Sequence, residues 1–186
     1  MNAHQQATGS AYFIDTKAVV SETHTLAVVA ENQPGVLARI IGLFAGRGYN
    51  IDSLTVSETE HERHVSRFTI VTTGTAAVIT QIKAQLERMV PVHSVADLTA
   101  EGNFLARELA MVKVKSEGDK RVEALRLGDA FRARVVDAST ESFVFELTGK
   151  PEKIDQFISL MVPLGLLEVS RTGVAAISRA AAAMKV

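Results

Sequence analysis

Two asparagines flank an apolar, helix-forming stretch in the segment from Glu31 to Ile51, ENQPGVLARIIGLFAGRGYNI. Asn32 comes just before the helix, and Asn50 follows the glycines that end it. The first amides of a helix have no partner inside the helix, and together with the helix dipole they favour an anion. An asparagine beside them offers both an acceptor and a donor. The segment could therefore hold the carboxylate and the ammonium group of a free amino acid, which suggests a sensor.

The residues between the asparagines suit this interpretation. Pro34 fits the first helical turn, where its missing N–H costs no hydrogen bond, and Asn32 or Gln33 is expected at or just before the cap. Gly35 leaves the backbone open to a ligand. Val36 and Leu37 are expected to supply an apolar wall that selects a small branched side chain. Physical reasoning gives equal weight to the alternative that the segment is only a good helix start and a good helix end.

Other residues that could perform chemistry do not form a convincing site. His61 and His64 alternate with glutamates, but they lie in a predicted hairpin turn, and a closed zinc site needs four ligands. Asp52 and Glu58 are about 20 Å apart along an extended strand, too far for a paired acid and base. Gly42, Gly46 and Gly48 fall within and after a helix instead of between a strand and a helix, so they do not form a dinucleotide fingerprint. We therefore expect no catalytic residue, no metal ligand and no cofactor in this chain.

Composition narrows the class of protein further. The chain has 186 residues, 47% of them hydrophobic, a formal net charge of −1 and no cysteine. It is long enough for one ordinary or two small packed domains, and its charge argues against nucleic acid as a partner. No apolar run approaches the ~20 residues of a membrane span, and the start of the chain lacks the pattern of a signal peptide. These features favour a cytoplasmic location.

The elements expected to position the asparagines form a βαββαβ unit over residues 22–99. Strand patterns alternate with two amphipathic helices, Val36 to Arg47 and Thr75 to Met89, and Pro91 ends the second. This order is that of a split pair of βαβ units, an antiparallel sheet backed by two helices. Residues 1–21 are expected to be an extension outside this unit.

The same order recurs over residues 107–180. A strand at Leu109 to Lys115 precedes a helix that Gly128 is expected to interrupt, then a hairpin, a helix and a strand that ends near Arg171. Residues 100–108 are expected to be a linker, and the alanine-rich tail after Gly173 a short helix or a frayed end. The expected fold is therefore α+β, with two ferredoxin-like domains.

Two long segments, HTLAVVAENQPGVLARIIGLFAGRGYNIDSLTVSETE and HVSRFTIVTTG, resemble the ACT domain of the acetolactate synthase small regulatory subunit family. PGVLARIIGLFAGRGYNIDSLTV is more specific than a general ACT pattern. The resemblance continues through Arg107 to Val114 and through Glu168 to Arg179, and it covers roughly residues 22–180.

This resemblance implies a regulatory subunit without catalytic activity. In this family the subunit binds a large catalytic subunit, which carries thiamine diphosphate, Mg and FAD, raises its activity and makes it sensitive to valine or a related branched-chain amino acid. The effector lies between two ACT domains of a homodimer. The family's contact residues fall on Asn32, Gly35 and Asn50, and Val36, Leu37 and Ile51 match in position and character. Pro34 occupies a position that is Ser in some relatives, and it suits a helix start.

Two other classes of function stay open. A free-standing ACT-type amino-acid sensor would need neither a second domain nor the segment Arg107 to Val114. An enzyme acting alone would need a catalytic group that the sequence does not offer. The second domain has no counterpart of the Asn-x-Pro-Gly pattern, since its first strand runs into Ser116 to Asp119, so it is expected to pack or transmit rather than bind valine.

Overall fold

The computed structural model describes residues 20–181 and 183–184, arranged in two antiparallel sheets, each backed by two helices on one face. The predicted α+β class with two ferredoxin-like units is confirmed. Residues 1–19, which make up most of the predicted extension, lie outside the described residues. No helix of the described part is long and apolar enough to cross a membrane.

The first unit has the predicted βαββαβ order. Its elements are β1 (Glu22–Glu31), α1 (Val36–Ala45), β2 (Ser53–Glu60), β3 (Val65–Gly74), α2 (Ala76–Glu87) and β4 (Val92–Asp97), and a short helix, α3 (Leu98–Glu101), follows. The strand order is β2-β3-β1-β4, so β2 and β4 are the edges. Alternate residues of β1, among them Leu26 and Val28, pack with Ile40 and Phe44 of α1 in the core. Because successive side chains of a strand point to opposite faces, the alternation of apolar residues predicts one covered face. The helices cover that face.

The second unit repeats the order with β5 (Phe104–Lys115), α4 (Gly118–Phe131), β6 (Arg134–Ala138), β7 (Ser142–Gly149), α5 (Pro151–Met161) and β8 (Leu166–Arg171). A 3₁₀ turn, Val162–Leu164, joins α5 to β8. The strand order is β6-β7-β5-β8, and Phe145 and Phe157 lie in the core between this sheet and its helices. α4 runs through Gly128, so the predicted interruption of that helix is wrong.

A two-stranded ribbon connects the units, and two predictions fail there. The predicted linker at residues 100–108 contains the start of β5, and the predicted helical or frayed tail contains a further strand, β9 (Ala175–Ser178). Residues Phe104–Arg107 of β5 pair antiparallel with Ala175–Ser178. The ribbon covers the face of the first sheet that the helices leave open, where Val174 and Ala176 pack on Ala27 and Leu98. The tail forms a strand because tertiary contact offers it an apolar surface and an unpaired edge.

Candidate functional site

The start of α1 is built differently from the prediction. Gly35 is the N-cap, in a left-handed conformation with φ 86° and ψ −10°, and no side chain caps the helix. Asn32 and Gln33 are therefore not caps, and Pro34 lies in the turn before the helix instead of in its first helical turn. The left-handed conformation accounts for the glycine, because L side chains adopt it rarely.

This start leaves two amides open. The amide of Val36 donates to the carbonyl of Gln33 at 3.3 Å, and that of Arg39 donates to the carbonyl of Gly35 at 3.0 Å. Among the described residues, the next two helix amides, at Leu37 and Ala38, have no hydrogen-bond acceptor. Open amides at a helix N-terminus are suited to an anion such as a carboxylate.

The apolar residues at this point divide between core and surface. Val36 is 3% exposed and packs in the core, so it cannot form the predicted wall of a surface site. Leu37 is 42% exposed and Ile41 40% exposed, one helical turn apart on the same side of α1. Leu37 is thus available at the surface, and Ile41, at i+4 spacing, is an exposed apolar neighbour of it.

Asn50 is held at the other end of α1. Its Nδ2 donates to Oδ1 of Asp52, and its carbonyl accepts a hydrogen bond of 2.6 Å from Oγ1 of Thr72. Oδ2 of Asp52 accepts from Oγ1 of Thr73 at 2.8 Å. Ile51 is half-buried against the core. Asp52 thus places a carboxylate beside Asn50. From the sequence, Asp52 was considered only as one member of an acid–base pair with Glu58.

Within one chain the two asparagines lie at opposite ends of the first sheet. The amide of Asn32 donates to the carbonyl of His64, just before β3, whereas Asn50 accepts from Thr72, near the end of β3. The extended chain between these two partners spans roughly 25 Å. Within a single chain, Asn32 and Asn50 therefore cannot lie at the same helix start. The reason is topological, because α1 carries the chain back along the full length of the sheet.

The edge of the first sheet next to α1 is apolar. β1 and β2 both pair antiparallel with β3, so they are parallel to each other and α1 crosses over β3 between them. β2 is an edge strand, and Val56 on it is 39% exposed. Val56 and the unpaired backbone of β2 lie at this edge, and Leu37 and Ile41 are exposed on α1, so both elements present apolar side chains that another chain could cover.

A second polar cluster lies at the junction of the two units, and no local sequence pattern predicts it. Glu108 is 4% exposed and accepts two hydrogen bonds from the guanidinium of Arg171, at 2.7 and 2.6 Å. Arg171 also donates to Asp155 at 2.6 Å, and the hydrogen bonds with Glu108 raise its pKa above the ordinary arginine range. The cluster lines a cavity of about 710 Å³ between the units. Because every charge in the cluster is paired, its arrangement indicates structural rigidity.

The described histidines are not gathered with other potential metal ligands. His61 and His64 are exposed in the turn between β2 and β3, and no group of three potential ligands occurs in the part of the chain that the structure describes. His24 lies on the inner strand β1, and its Nδ1 is 2.7 Å from Oδ2 of Asp97.

Comparison with known proteins finds a family match for each half of the chain. Residues 26–94 match the family described as "AHAS small subunit-like ACT domain", and residues 107–180 match "Small subunit of acetolactate synthase". The chain is 44% identical over 156 residues to a "Probable acetolactate synthase small subunit" of Archaeoglobus fulgidus, covering 84% of this chain and 96% of that protein. It is 41% identical over 157 residues to the acetolactate synthase small subunit of Mycolicibacterium smegmatis, covering 84% of this chain and 91% of that protein.

A solved structure extends this likeness to the fold. The crystal structure of an acetolactate synthase small subunit from Thermotoga maritima superposes with a TM-score of 0.78 at 34% sequence identity, covering 87% of this chain and 99% of that one. The agreement covers both units. The chain therefore belongs to the acetolactate synthase small-subunit family, and it carries that family's regulatory ACT domain.

Proposed function

We propose that this chain raises the activity of a catalytic acetolactate synthase subunit and makes it sensitive to inhibition by valine. It would act in the cytoplasm, in the biosynthesis of valine, leucine and isoleucine. The large subunit would carry thiamine diphosphate, Mg and FAD, and this chain would carry none of them. Membership of the small-subunit family supports a catalytic partner, and the ACT domain supports an amino-acid effector.

The observation that carries the proposal is the separation of Asn32 from Asn50 across the first sheet. A single chain cannot close one small site over both. In a homodimer joined through the two β2 edges, a two-fold axis makes the two copies run antiparallel. The Asn32 end of one copy then meets Asn50 of the partner subunit, and the apolar side chains of Leu37, Ile41 and Val56 are covered. Such a dimer has two equivalent effector sites.

Each group at the shared site has a distinct role. The open amides of Leu37 and Ala38 donate hydrogen bonds to the carboxylate of valine, and Gly35 keeps the approach to them clear. The side-chain carbonyl of Asn50 of the partner subunit, supported by Asp52 of the partner subunit, takes the ammonium group. Leu37 and Ile41 contact the branched side chain. Pro34 fixes the turn, while Val36 and Ile51 act from the core by holding the two ends in place.

Inhibition would then be a linkage between effector binding and subunit state. Valine binds one state of the dimer more tightly, and that state supports catalysis less well. A coupling free energy of about 1–3 kcal/mol is enough for a useful response. By reciprocity, the catalytic subunit must change the affinity for valine by the same factor.

The first experiment mixes the purified large subunit with this chain and measures acetolactate formation with and without valine. We expect higher activity on mixing and inhibition by valine. If neither effect occurs, the proposal is wrong. Co-purification with a different enzyme would instead support a free-standing sensor.

A second experiment tests the shared site by complementation. As homodimers, Gly35→Asp and Asn50→Ala should each strongly weaken valine inhibition. A mixed dimer of the two variants contains one site with both changes and one site with neither. We therefore expect valine binding at half of the sites of the mixed dimer, which is about a quarter of all sites when the two variants pair at random. If each site belonged to a single chain, mixing would restore none.

A further inference from the structure

The ribbon of β5 and β9 encloses a second, smaller cavity on the first sheet. It has a volume of about 380 Å³ and lies on the face opposite α1 and α2. Its lining includes two arginines and three hydroxyl groups and, among the described residues, no carboxylate: Arg67, Arg107, Thr55, Ser57 and Thr69. The two arginines and the absence of a described carboxylate give this lining a positive charge that favours an anion.

Arg67 is half-buried, and among the described residues no carboxylate pairs with it. Its Nη2 donates to the carbonyl of Ala176 at 3.0 Å, and its Nη1 donates to Sδ of Met184 at 3.4 Å. Both acceptors are neutral, and desolvation lowers the pKa of this arginine below its ordinary value. Arg171 shows the opposite arrangement, because two carboxylates offset its burial and raise its pKa. A half-buried cation that nothing in the described chain neutralises is costly.

The other polar groups face the same space. Ser57 is the cross-strand partner of Arg67, and Thr55 is that of Thr69, so the register places these residues on one face of β2 and β3. Arg107 is exposed on the opposite wall, where its Nη1 donates to the carbonyl of Ala106 at 2.7 Å. An anion between the walls would accept hydrogen bonds from both guanidinium groups, the strongest class of pairing available to it.

We infer that this cavity is a binding site for a small carboxylate or phosphate anion, separate from the effector site on α1. The anion would join β3 of the first unit to the ribbon that belongs to the second. Binding needs neither a second copy of the chain nor the catalytic subunit, so its failure would leave the proposed valine response untouched. A ligand that binds only the folded chain also raises its melting temperature.

The test is calorimetric titration of the full-length chain with sodium phosphate and, separately, with sodium acetate, at constant ionic strength. We expect saturable binding of at least one of them, with the two titrations distinguishing phosphate from carboxylate chemistry. Arg67→Gln should weaken binding at least about tenfold, since a charge-assisted hydrogen bond is lost, and Arg107→Gln should weaken it less. Arg126→Gln changes an exposed arginine on α4 and should leave the affinity unchanged.

Ser57→Glu provides a test that does not depend on removing Arg67. A carboxylate placed opposite Arg67 should neutralise it, abolish anion binding and raise the melting temperature of the ligand-free chain. Absence of saturable binding of either anion would overturn the inference, as would equal weakening by Arg126→Gln. If neither anion binds but Arg67→Gln weakens assembly with the large subunit, the arginine belongs to a protein contact and the inference is again wrong.

Discussion

Gly35 sets the geometry at which the chain enters α1. Its φ of 86° is in the left-handed region, and a β-carbon built there meets no atom within 4 Å. A substitution at this position therefore costs backbone strain but no collision inside the chain. Any effect on effector binding must come from what the new side chain does to the ligand at the neighbouring amides.

We predict that Gly35→Asp weakens valine inhibition while leaving activation of the large subunit intact. A carboxylate about 4 Å from that of the ligand repels it by about 4 kcal/mol near a protein surface, enough for at least a tenfold rise in the valine concentration for half inhibition. Gly35→Asn is the matched control, because it has the same shape, tolerates the left-handed conformation and carries no charge. Unchanged inhibition in the Asp variant, measured by acetolactate formation, would show that the site assignment is wrong.

At the scale of elements, packing decides whether a glycine inside a helix is tolerated or required. Gly128 in α4 lies against Phe145, and a β-carbon there would be 2.7 Å from Cε1 of that ring. Phe145 is 1% exposed and has no space to move into. Gly42 in α1 is exposed, and a β-carbon there meets nothing within 4 Å. Both glycines lie inside helices, but the packing of the core requires a glycine only at Gly128.

We predict opposite signs for alanine at these two positions. Gly42→Ala should stabilise the chain by about 0.5–1 kcal/mol through helix propensity alone. Gly128→Ala gains the same term but forces an overpacked core that costs about 1–3 kcal/mol, so it should destabilise the chain by about 1 kcal/mol. Urea unfolding of both variants measures the difference. Equal stabilisation by the two substitutions would contradict the close contact between α4 and Phe145.

At the scale of the whole molecule, the two units are joined along β5 and β9 instead of through a loose linker. β5 pairs first with β9 over the first sheet and then with β7 and β8 in the second. At Gly173 the returning chain presses on β2, and the amide of Val174 donates to Oγ of Ser53 at 3.1 Å. The connection from β2 of the first sheet to the second unit therefore passes through packed backbone.

We predict that Gly173→Ala weakens this junction. Gly173 has φ 80°, and its β-carbon would lie 2.8 Å from Oγ of Ser53 and 2.9 Å from Oγ1 of Thr55. Gly102→Ala is the control, because Gly102 has φ 76° and open space around it. Both variants should lose about 1–2 kcal/mol to backbone strain, and only Gly173→Ala should lose about 1–3 kcal/mol more to the close contact.

Hydrogen exchange locates that effect. The amides of Ala175–Ser178 that bond to β5 should exchange faster in Gly173→Ala than in Gly102→Ala, because the ribbon opens more readily. Equal stability and equal exchange in the two variants would show that the contact between Gly173 and β2 does not hold the units together.

Local pattern predicted the regular elements well and failed where a distant segment decides the outcome. Alternating and helical periodicities located β1 to β4, α1 and α2, since each buries one face within its own unit. The strand at Ala175–Ser178 could not be found in this way, because its alanines gain strand structure only from β5 and the first sheet. Val36 was expected at a surface site, but it is buried. Helical periodicity shows which residues share a face of the helix, and it does not show which of them the core covers.

The sequence by itself determined the family, the two repeated units and the identity of the polar residues at the ends of α1, because these depend on local spacing and on a specific motif. Only the tertiary structure decided how far apart those residues lie. The crossover of α1 separates Asn32 from Asn50 by the length of β3, so an effector site built from both requires a second copy of the chain. The Glu108–Arg171 cluster and the unneutralised Arg67 were likewise decided by tertiary structure, since burial and pairing depend on contacts between residues distant in sequence.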